Sequence, residues 1–579
     1  MGLTDPNAES GGEEIVPVSQ GAGSYPAAPG TVWSEQQIAD YLTTGFWNYW
    51  SGDGRRAFDL GEDGSLTVNT RDLQSDGQQL ARWALDSWTA TTGIQFVEVI
   101  GPAEITFFDD SSGAWGGQWA YSGHVTTQGV VNVSTDWVAA YGTTLDSYSY
   151  QTYLHEIGHA LGLGHAGPYD GNAEFSSSAL FQNDSWSATV MSYFDQVENT
   201  LSDASFAYLA TPMAVDLRAI EDLYGPLSGV AAGDTTYGAQ GNAPDAPDAL
   251  SLLLGQALDS DAPDPDLYAG QPFAFLLRDD GGLDMLDLSP VGTAQRIDLG
   301  PGQTSDVMGG IGNMTIASGT LIEHARGGTG DDAILGNAAA NHLGGGAGND
   351  VLNGGGGDDV LVGGAGGDAL IGGDGLDWAS YAAAAVGIRL DLNGKVAGTG
   401  DATGDTFAGI EGVIGSALSD RIWGDGQANS ILGGSHSDRL YGRAGDDTLN
   451  GGGGADALYG NAGADILTGG SADLRDRYIY FTAADSGVGA GARDVITDFL
   501  SGTDRIEIRR LDADTSQSGK QGFSFIADAP FSAPGQLRFE QISDDAQTVV
   551  QADFDGDGVA DFEIALSGLM SLAENDFLI

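Results

Sequence analysis

The sequence contains no cysteine, and this absence excludes several kinds of site. Disulfide bridges, thiolate-held metal ions and a cysteine nucleophile are all impossible, as is a cysteine that blocks a metal ion in a latent enzyme. Long apolar runs are also absent, since no stretch approaches the ~20 residues of a membrane-spanning helix. We therefore expect no membrane anchor.

Basic residues are scarce. The 579 residues include 21 Lys and Arg against 82 Asp and Glu, which gives a formal net charge of −61, and the only lysines are Lys395 and Lys520. A surface this acidic repels nucleic acid and anionic membranes, so we expect neither as a partner. Bound divalent cations would supply the missing positive charge; adaptation to salt is the alternative explanation.

Glycine is abundant instead, at 92 residues, which indicates either disorder or a repeat that needs glycine at fixed positions. Residues 1–30 are polar and lack a basic start followed by an apolar run. We expect a disordered leader there and no cleaved signal peptide. Residues 31–225 have ordinary globular composition, and helices predicted over 76–91, 151–162 and 212–224 alternate with short strands. This mixture predicts an α/β or α+β domain.

A nine-residue repeat begins at Gly327. An Asp or Asn recurs at every ninth position, and an apolar residue follows two places later. Residues 378–414 lack this period and separate two blocks. The recurring polar residues are Asp332, Asn341, Asp350, Asp359, Asp368 and Asp377 in the first block, and Asp420, Asn429, Asp438, Asp447, Asp456 and Asp465 in the second.

Each repeat reads G-G-x-G-x-D-x-U-x, where U is apolar. The glycines allow a tight turn, and the aspartate adds a hard oxygen ligand that suits Ca²⁺. Stacked repeats of this kind form a parallel β-roll with ions between its turns. Without Ca²⁺ the region should be largely unfolded. A disordered Gly/Asp linker is the alternative, and the phased Leu and Ile positions argue against it.

Residues 155–165 read His-Glu-Ile-Gly-His-Ala-Leu-Gly-Leu-Gly-His and hold three of the seven histidines. On a helix, His155 and His159 share one face and can reach a single metal ion. Gly162 can adopt a positive φ and end the helix, so that the chain turns and delivers His165 as a third ligand. Glu156 stands beside them as a general base for zinc-dependent hydrolysis. A helix with merely buried or exposed histidines is the alternative.

This eleven-residue string is the metzincin signature, and residues 187–194 add a methionine followed by a tyrosine two places later. The chain resembles serralysin-type metzincins with RTX calcium repeats. The resemblance implies that Met191 lies in a turn beneath one catalytic zinc ion. It also implies that Tyr193 is a further zinc ligand, able to move and stabilise the oxyanion of the reaction. A packed tyrosine is the alternative.

The resemblance extends from about Trp33 to Ile579 and includes residues 141–153, 183–186, 203–206 and 211–225. It implies a secreted bacterial endopeptidase of broad specificity, made as a zymogen whose leader is removed on activation. Residues 129–134 resemble the edge strand that pairs with the backbone of a polypeptide substrate. Zinc hydrolysis of non-peptide amides is an alternative, as is a structural or adhesive RTX protein with an incidental catalytic domain.

The expected fold class is an α+β metzincin catalytic domain followed by an all-β parallel β-roll and a C-terminal β-sandwich. The expected boundaries are leader 1–30, catalytic domain 31–225, strands leading into the roll 226–326, repeats 327–470 with a connector at 378–414, and C-terminal domain 471–579. Asp279 and Asp284 resemble a calcium-binding turn. Residues 553–561 resemble half an EF-hand loop, although Ile564 replaces the distal glutamate.

Residues 574–579, an acidic stretch followed by apolar residues, resemble the uncleaved signal of RTX proteins that a one-step (type I) transporter exports. Low cytosolic Ca²⁺ would keep the roll unfolded and external Ca²⁺ would fold it. We therefore expect a secreted, extracellular monomer with polypeptide substrates. We expect the calcium ligands to be Asp332, Asp350, Asp359, Asp368, Asp377, Asp438, Asp447, Asp456 and Asp465, with Asp279 and Asp284.

Overall fold

A computed structural model describes residues 30–52, 54–61, 63–239, 248–259, 263–470 and 474–579. The chain divides into two compact units, Met1–Gly328 and Thr329–Ile579. Apart from Gly30, the predicted leader lies outside the described residues. A search of the described parts finds no helix that is long and apolar enough to cross a membrane.

The α-helices of the described chain all lie in the first unit. The longest, α3, buries Leu80, Trp83 and Trp88 on one amphipathic face. It ends at Gly93, which adopts a φ of 83°. A π-helical turn separates α1 from α2. The helices are α1 (Glu35–Asp40), α2 (Phe46–Trp50), α3 (Ser75–Thr92), α4 (Thr135–Tyr141), α5 (Tyr148–Leu161), α6 (Phe175–Ser178), α7 (Ala214–Tyr224) and α8 (Ala249–Leu258).

The first sheet consists of β1 (Ala57–Phe58), β2 (Ser65–Asn69), β3 (Gln95–Glu98), β4 (Ile105–Phe108), β5 (Ala114–Ser122) and β6 (Val125–Val133). Parallel strands run in the order β1-β6-β4-β2-β3, and β5 pairs antiparallel with β6. The prediction that residues 129–134 form an edge strand is therefore wrong. A turn at Gly123, with a φ of 66°, folds β5 back along β6, so that β5 takes the edge.

The rest of the first unit contains short strands. Strand β9 has the sequence Phe-Ala-Phe-Leu-Leu, is buried throughout, and pairs parallel with β7 and β13. Strand β10 pairs parallel with β8 and β14. These strands are β7 (Tyr208–Leu209), β8 (Thr236–Gly238), β9 (Phe273–Leu277), β10 (Met285–Asp287), β11 (Arg296–Asp298), β12 (Thr304–Ser305), β13 (Met314–Ile316) and β14 (His324–Arg326).

The second unit is a parallel β-roll. Its strands alternate between two faces, so a residue pairs with the one eighteen positions later, as His342 does with Val360. The apolar repeat residues, such as Leu343 and Leu352, are fully buried between the faces. The first block contains β15 (Ala333–Leu335), β16 (His342–Ala347), β17 (Val351–Gly356), β18 (Val360–Ala365) and β19 (Ala369–Asp374).

The connector interrupts one face of the roll and leaves the other continuous. It contains β20 (Trp378–Ser380), β21 (Arg389–Asp391), β22 (Thr406–Ala408) and β23 (Gly412–Ile414). Strand β20 pairs with both β18 and β23, which carries one sheet from the first block into the second. On the opposite face, β22 closes the first sheet against β19, and β21 starts a new sheet. The two blocks are therefore one roll.

The remaining strands extend the same two faces. Strands β34, β35 and β36 form an antiparallel group that joins β31, whereas β37 joins β32 on the other face. The strands are β24 (Arg421–Trp423), β25 (Ser430–Ser435), β26 (Arg439–Ala444), β27 (Thr448–Gly453), β28 (Ala457–Ala462), β29 (Ile466–Gly470), β30 (Arg477–Ile479), β31 (Asp494–Ile496), β32 (Arg505–Glu507), β33 (Ser524–Phe525), β34 (Gln536–Ile542), β35 (Gln547–Asp553), β36 (Phe562–Ser567) and β37 (Phe577–Leu578).

Candidate active site

Helix α5 positions the first two histidines of the motif. Ser147 caps its N-terminus, since the Ser147 hydroxyl accepts a hydrogen bond from the backbone N–H of Tyr150. It ends at Leu161, and Gly162 follows with a φ of 113°. A side chain at that position would also meet the carbonyl oxygen of Arg56 at 2.3 Å from its Cβ. Both the positive φ and the lack of space for a Cβ therefore require glycine at position 162.

The three motif histidines converge on one point. Their ligand atoms all lie within 4.8 Å of one another, and the Nε2 atoms of His159 and His165 are 2.9 Å apart. Each Nδ1 instead contacts a backbone carbonyl: His155 that of Val190 at 2.7 Å, His159 that of Leu163 at 2.8 Å, and His165 that of Tyr169 at 2.9 Å. If each Nδ1 carries the proton, each Nε2 offers its lone pair to a shared ion.

Burial keeps these rings neutral, which is the form that binds a metal ion. It lowers the pKa of His155 to about 4 and that of His159 to about 3, and it lowers the pKa of His165 well below the usual value. Three neutral imidazoles with fixed tautomers match the donor set of a catalytic Zn²⁺ site that keeps a position open for water. The residues present therefore fit zinc.

Met191 packs against helix α5 directly below this cluster. A Cβ added to Gly158 would lie 2.5 Å from the Met191 sulfur, so only glycine allows the two to approach so closely. Met191 is fully buried. The residue before it, Val190, supplies the carbonyl that accepts from His155. The turn thus holds one ligand ring and supports the helix that bears two.

Glu156 lies in the cleft beside the histidines. It is buried, and burial together with the nearby Asp170 raises its pKa to about 8. A cation held by the histidines would oppose this shift and favour the carboxylate. Strand β5 runs close by, since a Cβ on Gly116 would meet the Glu156 carbonyl oxygen at 2.4 Å. The edge strand and the candidate base therefore border the same cleft.

Tyr193 stands next to two of the three histidines. Its ring centroid is 4.4 Å from that of His165 and 5.9 Å from that of His155. The side chain is half-buried and lines the cleft together with His155, Glu156 and Ser192. The Tyr193 ring therefore borders the cleft and remains partly exposed to solvent.

Three polar residues support the site from outside it, and the motif did not identify them. Asp216 on α7 accepts hydrogen bonds from the backbone N–H groups of Val190 and Met213, both at 2.8 Å. Tyr169 holds His165 through its carbonyl, and its hydroxyl donates to Asp184 at 3.2 Å. Asp184 also accepts from the Ser192 hydroxyl at 2.7 Å. Asp184 and Asp216 lie in segments that the family resemblance had singled out, whereas Tyr169 does not.

The repeat aspartates form ladders inside the roll. From Asp350 onward, each repeat aspartate except Asp420 accepts, through one carboxylate oxygen, the backbone N–H of the repeat Asp or Asn eighteen residues earlier, as Asp465 does from Asp447 at 2.8 Å. The other oxygen is buried and has no partner in the described residues. Such oxygens belong to Asp350, Asp359, Asp368, Asp377, Asp438, Asp447, Asp456 and Asp465. Asp332 is equally buried, and its N–H donates to Asp350.

A buried carboxylate oxygen without a partner lowers the stability of the roll, and a bound cation would remove this penalty. Burial raises the pKa of Asp438 and of Asp447 to about 8. Rows of buried carboxylate oxygens without partners are the donors that Ca²⁺ takes. The ladder also runs past the repeats, because Asp405 and Glu411 of the connector and Asp494 after the repeats accept the same kind of hydrogen bond.

Asp279 and Asp284 lie together in the first unit. Both are buried, and the Tyr237 hydroxyl donates to Asp279 at 2.8 Å. The second carboxylate oxygen of Asp284 has no partner among the described residues. Burial and the neighbouring Asp279 raise the pKa of Asp284 to about 7. The pair therefore has the same character as the roll aspartates.

The half EF-hand sequence forms the turn between β35 and β36. Carboxylate oxygens of Asp553, Asp555 and Asp561 lie within 4.8 Å of one another. Both oxygens of Asp553 already accept backbone N–H groups, from Gly556 at 2.6 Å and Gly558 at 3.0 Å. The loop is thus closed by its own hydrogen bonds.

Comparison with known proteins agrees with this geometry. Residues 267–579, more than half of the chain, match the family model described as "Peptidase M10 serralysin C terminal". The chain belongs to the serralysin family. This match covers the roll and also residues 267–328 of the first unit.

Curated serralysins are similar over about half of this chain. Serralysin B of Dickeya chrysanthemi is 34% identical over 326 residues, which is 53% of this chain and 61% of that protein. Metallopeptidase AprA of Pseudomonas marginalis is 34% identical over 48% of this chain and 58% of its own length. Serralysin A of Dickeya chrysanthemi is 37% identical over 44% of this chain and 52% of its own. The chain spans between half and two thirds of these relatives.

Proposed function

We propose that this member of the serralysin family is a secreted zinc-dependent endopeptidase. The observation that carries the proposal is the convergence of one ligand nitrogen each from His155, His159 and His165, while each Nδ1 contacts a backbone carbonyl. The mixed helices and strands of the first unit and the roll of the second are consistent with this proposal. The names of the curated relatives, serralysins and AprA metallopeptidases, are consistent with proteolysis.

Zinc, when bound, supplies a Lewis acid that lowers the pKa of a water molecule toward ~7. Glu156 takes the proton of the attacking water and transfers it to the departing amine. Its position next to His155 on α5, inside the cleft, suits both transfers. Tyr193, whose ring lies against His165, donates its phenol to the oxyanion that develops on the substrate carbonyl.

A polypeptide substrate lies along β5, the edge strand that borders Glu156. Pairing with the backbone of an extended chain gives affinity without reading side chains, so specificity is broad. Beyond the histidines, the cleft has aromatic walls formed by Trp137, Tyr148 and Trp186. These walls favour an apolar side chain next to the scissile bond.

The roll provides calcium-dependent folding after export. Its unpartnered aspartate oxygens bind several Ca²⁺ ions, and in their absence the stacked carboxylates repel one another. Export by a one-step transporter therefore moves an unfolded chain, and the segment 574–579 acts as the signal. The secreted product is a monomer whose leader is removed when the zymogen is activated.

The test compares Glu156→Gln with the wild-type protein on casein, with Ca²⁺ and Zn²⁺ present. Glu156→Gln should lose at least about 10³-fold in kcat, the range seen when a general base is removed, while zinc content stays at the wild-type level. Glu174→Gln changes an exposed carboxylate in the same region and should retain full activity. Wild-type protein that binds zinc and cleaves no polypeptide would refute the proposal.

A further inference from the structure

One outer face of the roll carries a row of arginines. Six consecutive parallel strands, β21, β24, β26, β28, β30 and β32, align in register. Their first positions are Arg389, Arg421, Arg439, Ala457, Arg477 and Arg505. The next residue of each strand is buried in the core. Because side chains alternate across a strand, the arginines face outward. We call residues 389, 421, 439, 477 and 505 the arginine row.

A ladder of stacked aromatic rings runs beside the arginine row on the same face. Trp423 and Tyr441 are 5.0 Å apart, Tyr441 and Tyr459 are 4.3 Å apart, and Tyr459 and Phe481 are 5.4 Å apart, with interplanar angles of 9° to 21°. Cations cover the ends: Arg421 lies 5.8 Å from the Trp423 centroid and Arg510 lies 4.5 Å from that of Phe481. The ring faces are therefore occupied, and their edges and hydroxyls are left to contact a ligand.

The positive charge of this face is largely unneutralised. Among the described residues, Arg389, Arg421, Arg439 and Arg505 form no ion pair with a carboxylate. The acidic residues of the same face are already paired, Asp391 with Arg443 at 2.8 Å and Glu507 with Arg509 at 2.7 Å. Arg477 is the exception in the row, since it pairs with Glu507 at 3.6 Å. Four arginines without an ion pair in one row are unusual in a chain of net charge −61.

The stacking of successive coils of the roll accounts for the ladder of aromatic rings. It does not account for every arginine of the arginine row. The guanidinium groups of Arg389 and Arg421 lie over Trp423 and so add to the stack. Arg439 lies over no ring and has no carboxylate partner in the part of the chain that the structure describes. Five arginines at one strand position, spaced about 4.8 Å or a multiple of it apart, instead form an extended row of cationic groups.

We propose that the arginine row binds a linear acidic polysaccharide, a chain of sugar rings that carries carboxylates along its length. The guanidinium groups of Arg389, Arg421 and Arg439, which form no ion pair with a carboxylate of the described chain, can each hold a ligand carboxylate through two parallel hydrogen bonds. The hydroxyls of Tyr441 and Tyr459 beside the row can bond sugar hydroxyls. This binding is separate from the zinc site and does not depend on the proposed proteolysis.

The charge of the whole chain favours this ligand over two others. Duplex nucleic acid carries one charge per ~1.7 Å, a density that the surrounding acidic surface repels more strongly than it repels a chain with at most one carboxylate per sugar. An anionic membrane is a plane, and most of that plane would meet carboxylates outside the narrow row. Both ligands therefore serve as comparison probes.

The experiment uses the full, calcium-loaded protein and hexagalacturonate as the probe, with the fully methyl-esterified hexamer as its uncharged counterpart. Calorimetry should detect binding of the acid and none of the ester. The affinity should fall as salt is raised, because the contacts are between exposed charges. The triple variant R389Q/R421Q/R439Q should lose at least about tenfold in affinity, equivalent to about 1.4 kcal/mol. R71Q/R82Q/R218Q makes the same change in net charge on the first unit and should bind as the wild type does.

The other outcomes overturn the proposal. If both triple variants bind hexagalacturonate equally well, the affinity comes from bridging calcium ions or from overall charge and not from the arginine row. Tighter binding of an oligothymidylate or of phosphatidylglycerol vesicles would assign the row to a different ligand. If R389Q/R421Q/R439Q loses thermal stability and the wild type binds no hexagalacturonate, the row only stabilises the roll. R389K/R421K/R439K keeps the charge, so a correctly folded lysine variant that binds as tightly as the wild type would rule out recognition by the guanidinium fork.

Discussion

Asp216 accepts a hydrogen bond from the backbone N–H of Val190 at 2.8 Å, and this contact fastens helix α7 to the turn that contains Met191. The same carboxylate accepts from the Thr189 hydroxyl and the Met213 N–H. The Val190 carbonyl in turn accepts from His155. Asp216 thus helps to position the ring of His155 through the backbone of Val190.

Asp216→Asn should weaken this support. The amide would present its N–H₂ group to backbone donors, so at least one buried group loses its partner at a cost of about 1–3 kcal/mol. We expect a lower melting temperature and weaker zinc binding, measured by calorimetry and by zinc competition with a chelator. Glu221→Gln, on the more exposed side of the same helix, is the control and should alter neither.

Tyr193→Phe separates catalysis from metal binding. Removing the phenol should lower kcat by about 10²-fold, the usual effect of losing one donor to an oxyanion, with KM and zinc content little changed, because three histidines remain. Single-turnover hydrolysis of a fluorogenic peptide measures this effect. An unchanged kcat would return Tyr193 to the role of a packed aromatic residue.

Asp447→Ala tests the calcium ladder. Asp447 has a buried oxygen without a partner in the described chain, whereas its neighbour Asp446 is exposed and accepts from the Ala464 N–H. Loss of one charged ligand should raise the Ca²⁺ midpoint for folding of the roll roughly tenfold, measured by tryptophan fluorescence. Asp446→Ala should shift it far less, and equal shifts would contradict the assignment.

Acid should destabilise the C-terminal part of the roll through Glu563. Burial alone would raise its pKa, but hydrogen bonds from Gln551, the Gly489 N–H and Arg493 more than offset this and hold the pKa below 4.5. The ionised Glu563 side chain therefore contributes its full stabilisation above pH 4.5. This stabilisation is lost as the pH falls through the lower pKa that Glu563 has in the folded protein.

Glu563→Gln should cost about 3 kcal/mol at neutral pH because it leaves Arg493 buried without its charge partner. The difference from the wild type should shrink below the folded pKa of Glu563, as measured by denaturant unfolding at several pH values. Glu540→Gln removes an exposed partner of Arg538 and should cost less than about 1 kcal/mol at any pH. A loss that does not vary with pH would contradict this account.

Deleting residues 576–579 should affect folding as well as export. Asp576 is buried and accepts from the Ser501 hydroxyl and the Gly502 N–H, and Phe577 is buried where β37 joins β32. We expect export to cease and the refolded protein to melt at a lower temperature. Phe577→Ala tests the packing separately, since it should lower stability by about 3–5 kcal/mol and leave the acidic residues in place.

Local patterns were sufficient to predict α3, α5 and the roll. Their signals are short in range: apolar spacing on a helix, a ligand pair one turn apart, and a repeat of fixed length. Strand β5 shows the limit of such patterns. Nothing in residues 129–134 indicates that the chain turns at Gly123 and covers that strand, because sheet order depends on contacts distant in sequence.

The supporting residues of the site were hidden for a related reason. Tyr169 acts through its backbone carbonyl, which carries no sequence signal. Asp216 lies 26 residues from Val190 and reads as an ordinary acidic residue in the first turn of a helix. Asp405 continues the aspartate ladder from outside the repeat, so the nine-residue period does not include it, and only the stacking of coils shows its place.

Elemental analysis of the purified, calcium-loaded protein tests the central claim most directly. The three convergent histidines predict one zinc per chain. His159→Ala should reduce that to none, while His124→Ala, at an exposed histidine of the β5–β6 turn, leaves it unchanged. A wild-type protein without stoichiometric zinc, or a His159→Ala variant that retains it, would contradict the account.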